Sequence, residues 1–310
     1  MPVVRYVHEA QLEDYLQKQE SIGWLFNSFF LVVAFALFLI NIQIGSFRKQ
    51  TAVVINSGGK AEVEGVSTEA FLPTPTITPT PTPTDLIYPT SEPVRVPKSS
   101  YKIAVFGDSM IDTMGERLEY LGGALKTKYP LTTFDLYNYG IGAENAEEGI
   151  NRFGKEFHYK DRNFPPLSAL HPDIIIIGSF GYNPFSPYDR NKHWLTLARL
   201  IEEVKHTNAQ IYVLAEIAPL VHDFGRGPNG VDWPDDLRST HAHQIIEQLE
   251  NAVGLAKNEQ VGLIDVFDQT VTNSQKEGRR QYVNPGDGIH PSVEGHEFTA
   301  EQIVKTLQFR

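Results

Sequence analysis

From residue 101 onward the chain alternates between two hydrophobic rhythms. Short apolar runs recur at 102–107 (KIAVFG), 133–138 (TFDLYN), 173–180 (DIIIIGSF), 210–217 (QIYVLAEI) and 261–267 (VGLIDVF). They are rich in β-branched residues, and several are apolar at successive positions, as in parallel strands buried on both faces. Between them, apolar residues return at helical spacing over 114–127, 144–156, 190–206, 237–257 and 293–308. This strand–helix alternation predicts a three-layer α/β/α sandwich over 101–310, with right-handed crossovers. In such folds ligands bind at the carboxyl ends of the strands. The residues that follow each run therefore carry the functional question.

The first hundred residues follow another pattern. No charged residue lies between Ser21 and Phe47. Residues 22–44 are long enough to cross a bilayer, which takes roughly 20 apolar residues. The tail 1–21 is polar and acidic, and no small-x-small cleavage site follows closely. The segment therefore reads as an uncleaved transmembrane anchor rather than a signal peptide. A linker over 45–100 includes LPTPTITPTPTPT at 72–84. Alternating Pro and Thr makes a semi-rigid polyproline-II spacer of about 3.1 Å per residue. Arg48 and Lys49 directly after the anchor draw that flank toward the cytoplasm. The Thr/Pro stalk argues the other way, for a domain lifted off the outer surface. The expectation is a single-pass membrane protein with an extracytoplasmic domain.

Composition removes several function classes. The chain has no cysteine, which excludes disulfides, thiolate nucleophiles and cysteine-ligated zinc. Formal net charge is −11, and residues 101–310 hold 20 Lys+Arg against 29 Asp+Glu without a basic run. An acidic domain is a poor match for a phosphate backbone, so nucleic acid is not an expected partner.

The first run ends in Gly107-Asp108-Ser109. Ser109 falls at a strand end beside a helix N-terminus, where backbone N–H groups favour developing negative charge. The second run leads into Asn138-Tyr139-Gly140-Ile141-Gly142-Ala143-Glu144, a turn that exposes backbone donors. The third leads into Gly178-Ser179-Phe180-Gly181-Tyr182-Asn183, whose asparagine offers a side-chain donor at the same rim. Beyond the fifth lies a Gly/Pro-rich loop over 284–292, with Asp287 three residues before His290. A carboxylate at that spacing can turn back onto imidazole Nδ1, fix the tautomer and leave Nε2 to take a proton from a serine. Each fragment alone is an ordinary turn. Their order makes the case: nucleophile, donors and acid–base pair all follow strands of one sheet.

Gly107-Asp108-Ser109, the 138–143 turn, Gly181-Tyr182-Asn183 and Asp287-Gly288-Ile289-His290-Pro291 resemble, in order, the four sequence blocks of the SGNH hydrolases, the GDSL esterase/lipase superfamily. The blocks spread over almost the whole of 101–310. The resemblance implies a flavodoxin-like sheet of five parallel strands and ester hydrolysis through a serine acyl-enzyme. Carried over, Ser109 resembles the nucleophile, His290 the general base and Asp287 its orienter. The N–H of Ser109, the side chain of Asn183 and a turn N–H resemble the oxyanion donors. The turn donor is Ala143 or, with a loop one residue shorter, Gly142. The family usually has glycine there; alanine keeps the N–H but resists φ > 0. Pro184 stands where many members carry aspartate, which bears on loop shape rather than on the Asn183 donor.

The implied reaction needs no metal or organic cofactor. His222, Asp223, His241 and His243 are conceivable ligands, but a helix from about Leu237 accounts for His241 and His243 as surface or packing residues. Substrate choice falls to the loops. Tyr182, Phe185, Tyr188 and Trp194 follow the third run, and a long segment over 218–236 with Phe224 and Trp233 follows the fourth. Tyr182, Phe185 and Trp233 are candidate substrate-binding residues, able to stack on a sugar or line an acyl pocket. The plainer reading has them covering the sheet edge. With an anchor, a stalk and no long apolar surface run, the expectation is an esterase for short acyl groups such as acetyl. Its substrate would be a carbohydrate or cell-envelope polymer. Two alternatives stand beside it: a surface O-acyltransferase with the same triad, and a non-catalytic binding module on the same fold.

Overall fold

The computed structural model describes residues 94–310. The chain divides into two units, Met1–Thr84 and Asp85–Arg310, and the described residues lie in the second. The expected anchor at 22–44 and the Thr/Pro-rich run at 72–84 lie outside the described residues. Among the described residues, no helix is long and apolar enough to cross a membrane.

The elements in chain order are β1 (Ser100–Gly107), α1 (Ser109–Asp112), α2 (Glu119–Lys128), β2 (Thr133–Gly140), α3 (Ala146–Phe153), β3 (Phe157–Tyr159), β4 (Arg162–Phe164), β5 (Ile174–Gly178), α4 (Arg190–Lys205), β6 (Gln210–Ala215), α5 (Asp235–Asn258), β7 (Gly262–Asp265), α6 (Val266–Thr270) and α7 (Val293–Thr306). Five parallel strands form one sheet in the order β2-β1-β5-β6-β7, the flavodoxin-like arrangement. β3 and β4 make a separate antiparallel hairpin.

The apolar runs explain the two buried faces. In β1, Tyr101, Ile103 and Val105 pack into one core cluster, while Ala104 and Phe106 pack into the other. In β5, Ile174 and Ile176 face the first cluster, and Ile175 and Ile177 the second. Burying each such side chain contributes roughly 1.5–3 kcal/mol. α2 and α7 supply Leu121, Leu125, Ala300 and Ile303 to the first cluster, and α3 and α4 supply Phe153, Leu197, Leu200 and Ile201 to the second. Helix α5 contributes to both, through Ile245 and Leu249 on one side and Ala252 and Leu255 on the other.

The register ends the strands level with one another. Gly107 pairs with Gly140, Gly178 with Leu214, and Ala215 with Asp265. The segments after these pairs therefore meet at one edge.

The helix expected over 114–127 begins later, at Glu119. Gly115 at φ 95 and Leu118 at φ 53 break the helical path. Asn138 holds the break: its Nδ2 donates to the carbonyls of Ile111 at 2.8 Å and Gly115 at 2.7 Å.

Candidate active site

Ser109 is the first residue of α1, and Asp108 caps that turn. Asp108 is fully buried, and its Oδ1 accepts the Met110 N–H at 3.0 Å. Burial pushes its carboxyl above the usual range, against the Met110 and Asn183 donors and the facing His290, which pull it down. The end of β2 must approach the backbone of α1 closely here. A Cβ at Gly140 would lie 2.2 Å from the Asp112 nitrogen, so only glycine allows the approach.

Arg152 on α3 ties the two turns together from below. Its Nη2 donates to the carbonyls of Gly107 at 2.9 Å and Tyr139 at 3.0 Å, and its Nε pairs with Glu144 at 2.5 Å. The guanidinium also lies over the Phe106 ring, 4.2 Å from its centroid. Burial lowers the Arg152 pKa and raises that of Glu144.

The Gly142 N–H donates to the Tyr159 hydroxyl at 3.1 Å, and that hydroxyl donates on to Asp112 at 3.1 Å. Lys160 and Arg162 of the same hairpin segment also reach Asp112, at 2.7 and 3.2 Å. Ala143 sits at φ 62, in the left-handed region, which costs an L-residue roughly 1–2 kcal/mol.

Asn183 ends a loop that leaves β5. Its Nδ2 donates to Asp108 Oδ2 at 2.9 Å, which uses one of its two amide hydrogens. Phe180 in this loop has φ 56 and packs edge-on against Phe106.

The fourth group stands on the loop before α7. Asp287 Oδ1 accepts the backbone N–H of Ile289 at 2.8 Å and of His290 at 3.0 Å. Its Oδ2 lies 2.9 Å from His290 Nδ1. That contact makes Nδ1 the protonated nitrogen and leaves Nε2 with its lone pair. Gly288 makes the turn possible at φ 69; a Cβ there would lie 2.6 Å from the Arg226 carbonyl. The contact belongs to the long 218–236 segment, which zips onto this loop. Gly225 N–H donates to the Gly288 carbonyl at 2.9 Å, and Asn229 N–H to the Gly286 carbonyl at 2.8 Å.

One cavity of about 620 Å³ brings these parts together. Ser109, Gly142, Ala143, Asn183 and His290 line it, with Tyr159, Phe224, Trp233 and His241. His290 and Asp287 also line an adjoining cavity of about 610 Å³ with Thr113, Tyr120 and His296. A larger cavity of about 730 Å³ opens at the amino ends of the strands and contains none of these groups.

The aromatic candidates separate. Tyr182 lines the cavity but is buried, with its hydroxyl donating to the Ile217 carbonyl at 2.8 Å. Trp233 lines it and is only partly buried. Phe185 is not among the cavity residues. It packs in the second core cluster beneath Lys192 Nζ, so its burial serves the fold rather than the cavity. His241, expected to be a surface or packing residue, packs on Phe224 and Trp233 with centroids 5.1 and 5.0 Å away and also lines the cavity. Burial lowers its pKa, which favours the neutral imidazole. Helical spacing shows that His241 is on α5 but not that the 218–236 segment leaves its ring at the cavity wall. Among the described residues, no group of three or more His, Asp or Glu could hold a metal ion.

Residues 103–303 match the family described as GDSL-like Lipase/Acylhydrolase. No curated protein sequence matches this chain. Among solved structures, a GDSL-like lipase from Bacteroides thetaiotaomicron VPI-5482 has a TM-score of 0.49 at 14% identity, covering 66% of this chain and 86% of its own. An acetyl xylan esterase, AlAXEase, has a TM-score of 0.48 at 18% identity, covering 67% and 100%. A catalytic mutant of an acetylxylan esterase from Geobacillus stearothermophilus has a TM-score of 0.46 at 17% identity, covering 68% and 95%. The family match spans about two thirds of the 310 residues and contains every group that meets at the strand ends, from Ser109 to His290. The chain belongs to the GDSL-like lipase/acylhydrolase family and is an ester hydrolase.

Proposed function

We propose that this protein hydrolyses short-acyl esters, such as acetyl esters, of a carbohydrate or cell-envelope polymer, with Ser109, His290 and Asp287 as its triad. The observation that carries the reading is the shared cavity: Ser109, Ala143, Asn183 and His290 line it while Asp287 holds His290 Nδ1. Ser109 Oγ attacks the ester carbonyl as His290 Nε2 takes its proton. The negative oxygen is stabilised by the N–H groups of Ser109 and Ala143 and by the free amide hydrogen of Asn183. Ala143 is favoured over Gly142 because the Gly142 N–H is already given to Tyr159. His290 then returns the proton to the leaving alcohol. Water, activated by the same imidazole, releases the acid and restores Ser109.

The partly buried Trp233 beside a neutral His241 suits a sugar: an apolar ring face next to a hydrogen-bonding imidazole. The apolar, uncharged segment 22–44 and the Thr/Pro spacer motivate the remaining part of the proposal, a membrane-anchored hydrolase facing away from the cytoplasm. Protease treatment of intact cells tests it; a domain protected from digestion would overturn that orientation.

The chemical test uses the full chain with p-nitrophenyl acetate and an acetylated oligosaccharide. Ser109→Ala should lower kcat by at least about 10³-fold and abolish fluorophosphonate labelling. Turnover independent of Ser109 would refute the triad. Equal rates on acetyl and long-chain lipid esters would refute the short-acyl preference.

A further inference from the structure

Glu216 follows β6, is 3% exposed, and takes no part in the proposed reaction. A buried carboxyl is costly unless its hydrogen bonds are complete. Both of its oxygens serve Ser179: Oε1 accepts the Ser179 N–H at 2.9 Å and Oε2 meets the Ser179 hydroxyl. Ser179 opens the loop that ends at Asn183. Its Oγ accepts the Gly181 N–H at 2.9 Å, and its carbonyl accepts from His193 Nε2 at 2.9 Å. Asn251 Nδ2 lies 3.2 Å from His193 Nδ1, so it donates there and the imidazole proton sits on Nε2. At the other end of the loop, Asn183 donates to Asp108. The loop is thus held at both ends by buried carboxyl groups.

We propose that Glu216 is a positioning residue that acts through this loop, setting the Asn183 amide where the substrate's carbonyl oxygen becomes negative. The proposal rests on the esterase reading above. Two buried carboxyls facing each other do not both ionise cheaply. Asp108 has the better claim to the charge, with the Met110 and Asn183 donors and the Arg152 guanidinium nearby. Glu216 faces Ser179, the Asp108 charge and the Tyr182 phenol, so it keeps the proton. A neutral carboxyl can accept from the Ser179 N–H and donate to the Ser179 oxygen together. Glutamine has the same pair of functions.

The experiment is a double-mutant cycle on the full chain, with steady-state kinetics on p-nitrophenyl acetate. Glu216→Ala should lower kcat by about 10-fold or more and leave KM within about 3-fold, because the donor it positions acts mainly in the transition state. Glu216→Gln should keep kcat within about 3-fold of wild type. In an Asn183→Ala background, adding Glu216→Ala should cost less than about 2-fold more, since residues acting as one unit are not additive. If Glu216→Ala does not fold, Ser179→Ala takes its place in the cycle. Full activity in Glu216→Ala, losses that multiply in the double mutant, or failure of glutamine to restore kcat would each overturn the proposal. Ser109→Ala is assayed alongside. Turnover that survives it would sink the esterase reading and this role together. Ser109-dependent turnover with an additive cycle would sink only the role of Glu216.

Discussion

The two halves of the site are held in place by different means. Around Ser109 and Asn183 the supports are buried side chains: the Asp108 and Glu216 carboxyls, and the largely buried Arg152–Glu144 pair beneath the turns. Around His290 they are backbone contacts between two surface loops, 284–290 and 223–230, joined where glycines let the chains approach. His290 and Asp287 keep side-chain exposures of 27% and 17%, whereas Asp108 has none. The geometry around Ser109 and Asn183 is therefore set by buried side chains, and that around His290 by loop conformation near water. Damage to the first half should register as lost stability, joined by lost turnover where the Asn183 amide moves. Damage to the second should register as lost turnover in a folded protein.

Arg152→Leu should show the largest effect on stability. It strips donors from the Gly107 and Tyr139 carbonyls and leaves Glu144 without its partner. Breaking one side of a buried pair typically costs about 3–5 kcal/mol. Thermal unfolding checks this, and adding Glu144→Leu should recover part of the loss. A loss below about 1 kcal/mol would contradict the claim that this half depends on buried charge.

Gly288→Ala tests the other half. The residue sits at φ 69, and a new Cβ would lie within 2.7 Å of both Arg226 N and O. The strain is about 1–3 kcal/mol. The sharper effect falls on His290, two residues on: a shift of about 1 Å can cost on the order of 10²-fold in rate. Comparing kcat with Tm separates the halves. A variant that lost stability in proportion but kept kcat would erase the contrast.

Glu216→Gln turns the first half into a pH measurement. Burial, then the Asp108 charge, raises the Glu216 pKa above its ordinary value. A carboxyl raised in the folded state gives stability that is complete below its unfolded pKa and lost as pH rises through the folded one. Glutamine does not titrate. At pH 5 the variant should match wild type within about 0.5 kcal/mol. At pH 8 it should be more stable by at least about 1 kcal/mol, roughly 2–4 °C in Tm for a domain of this size. Equal Tm differences at both pH values would mean that Glu216 carries no raised pKa.

The same contrast explains what could be read from the sequence. The five strands stood out because each is a short apolar run, and the four groups were visible because each follows a run or begins a helix. Asp287 and His290 were legible together, since three residues of one loop bring carboxylate and imidazole into contact. Features that depend on distant parts were not. Nothing in the 138–144 turn shows that the Gly142 N–H is spoken for, because its partner Tyr159 comes from the hairpin after α3. Nothing marks Glu216 at the end of an apolar run, because its partner Ser179 stands 37 residues earlier. Phe185 read as a loop aromatic because spacing cannot show that the chain folds it back under Lys192. Asn138 reads as a turn residue, while from strand β2 its Nδ2 donates to the Ile111 carbonyl of α1.

Ala143→Gly should have the smallest effect, and it separates conformation from chemistry in the turn. At φ 62 alanine carries a left-handed penalty of about 1–2 kcal/mol that glycine does not. Glycine gives back about 0.4–1 kcal/mol through its freer unfolded chain. The net change should lie between about zero and 1.5 kcal/mol of stabilisation. If the turn contributes only its N–H, kcat should stay within about 2-fold, because glycine keeps that hydrogen in the same conformation. Gly142→Ala is the matched control: its Cβ would sit 3.1 Å from the Tyr159 hydroxyl and press on the bond that occupies the Gly142 N–H. A large kcat loss in Ala143→Gly with a raised Tm would assign the methyl group, not the N–H alone, a part in holding the substrate. The Ser109 side would then owe its geometry to a side chain at the cavity wall as well as to the buried groups beneath it.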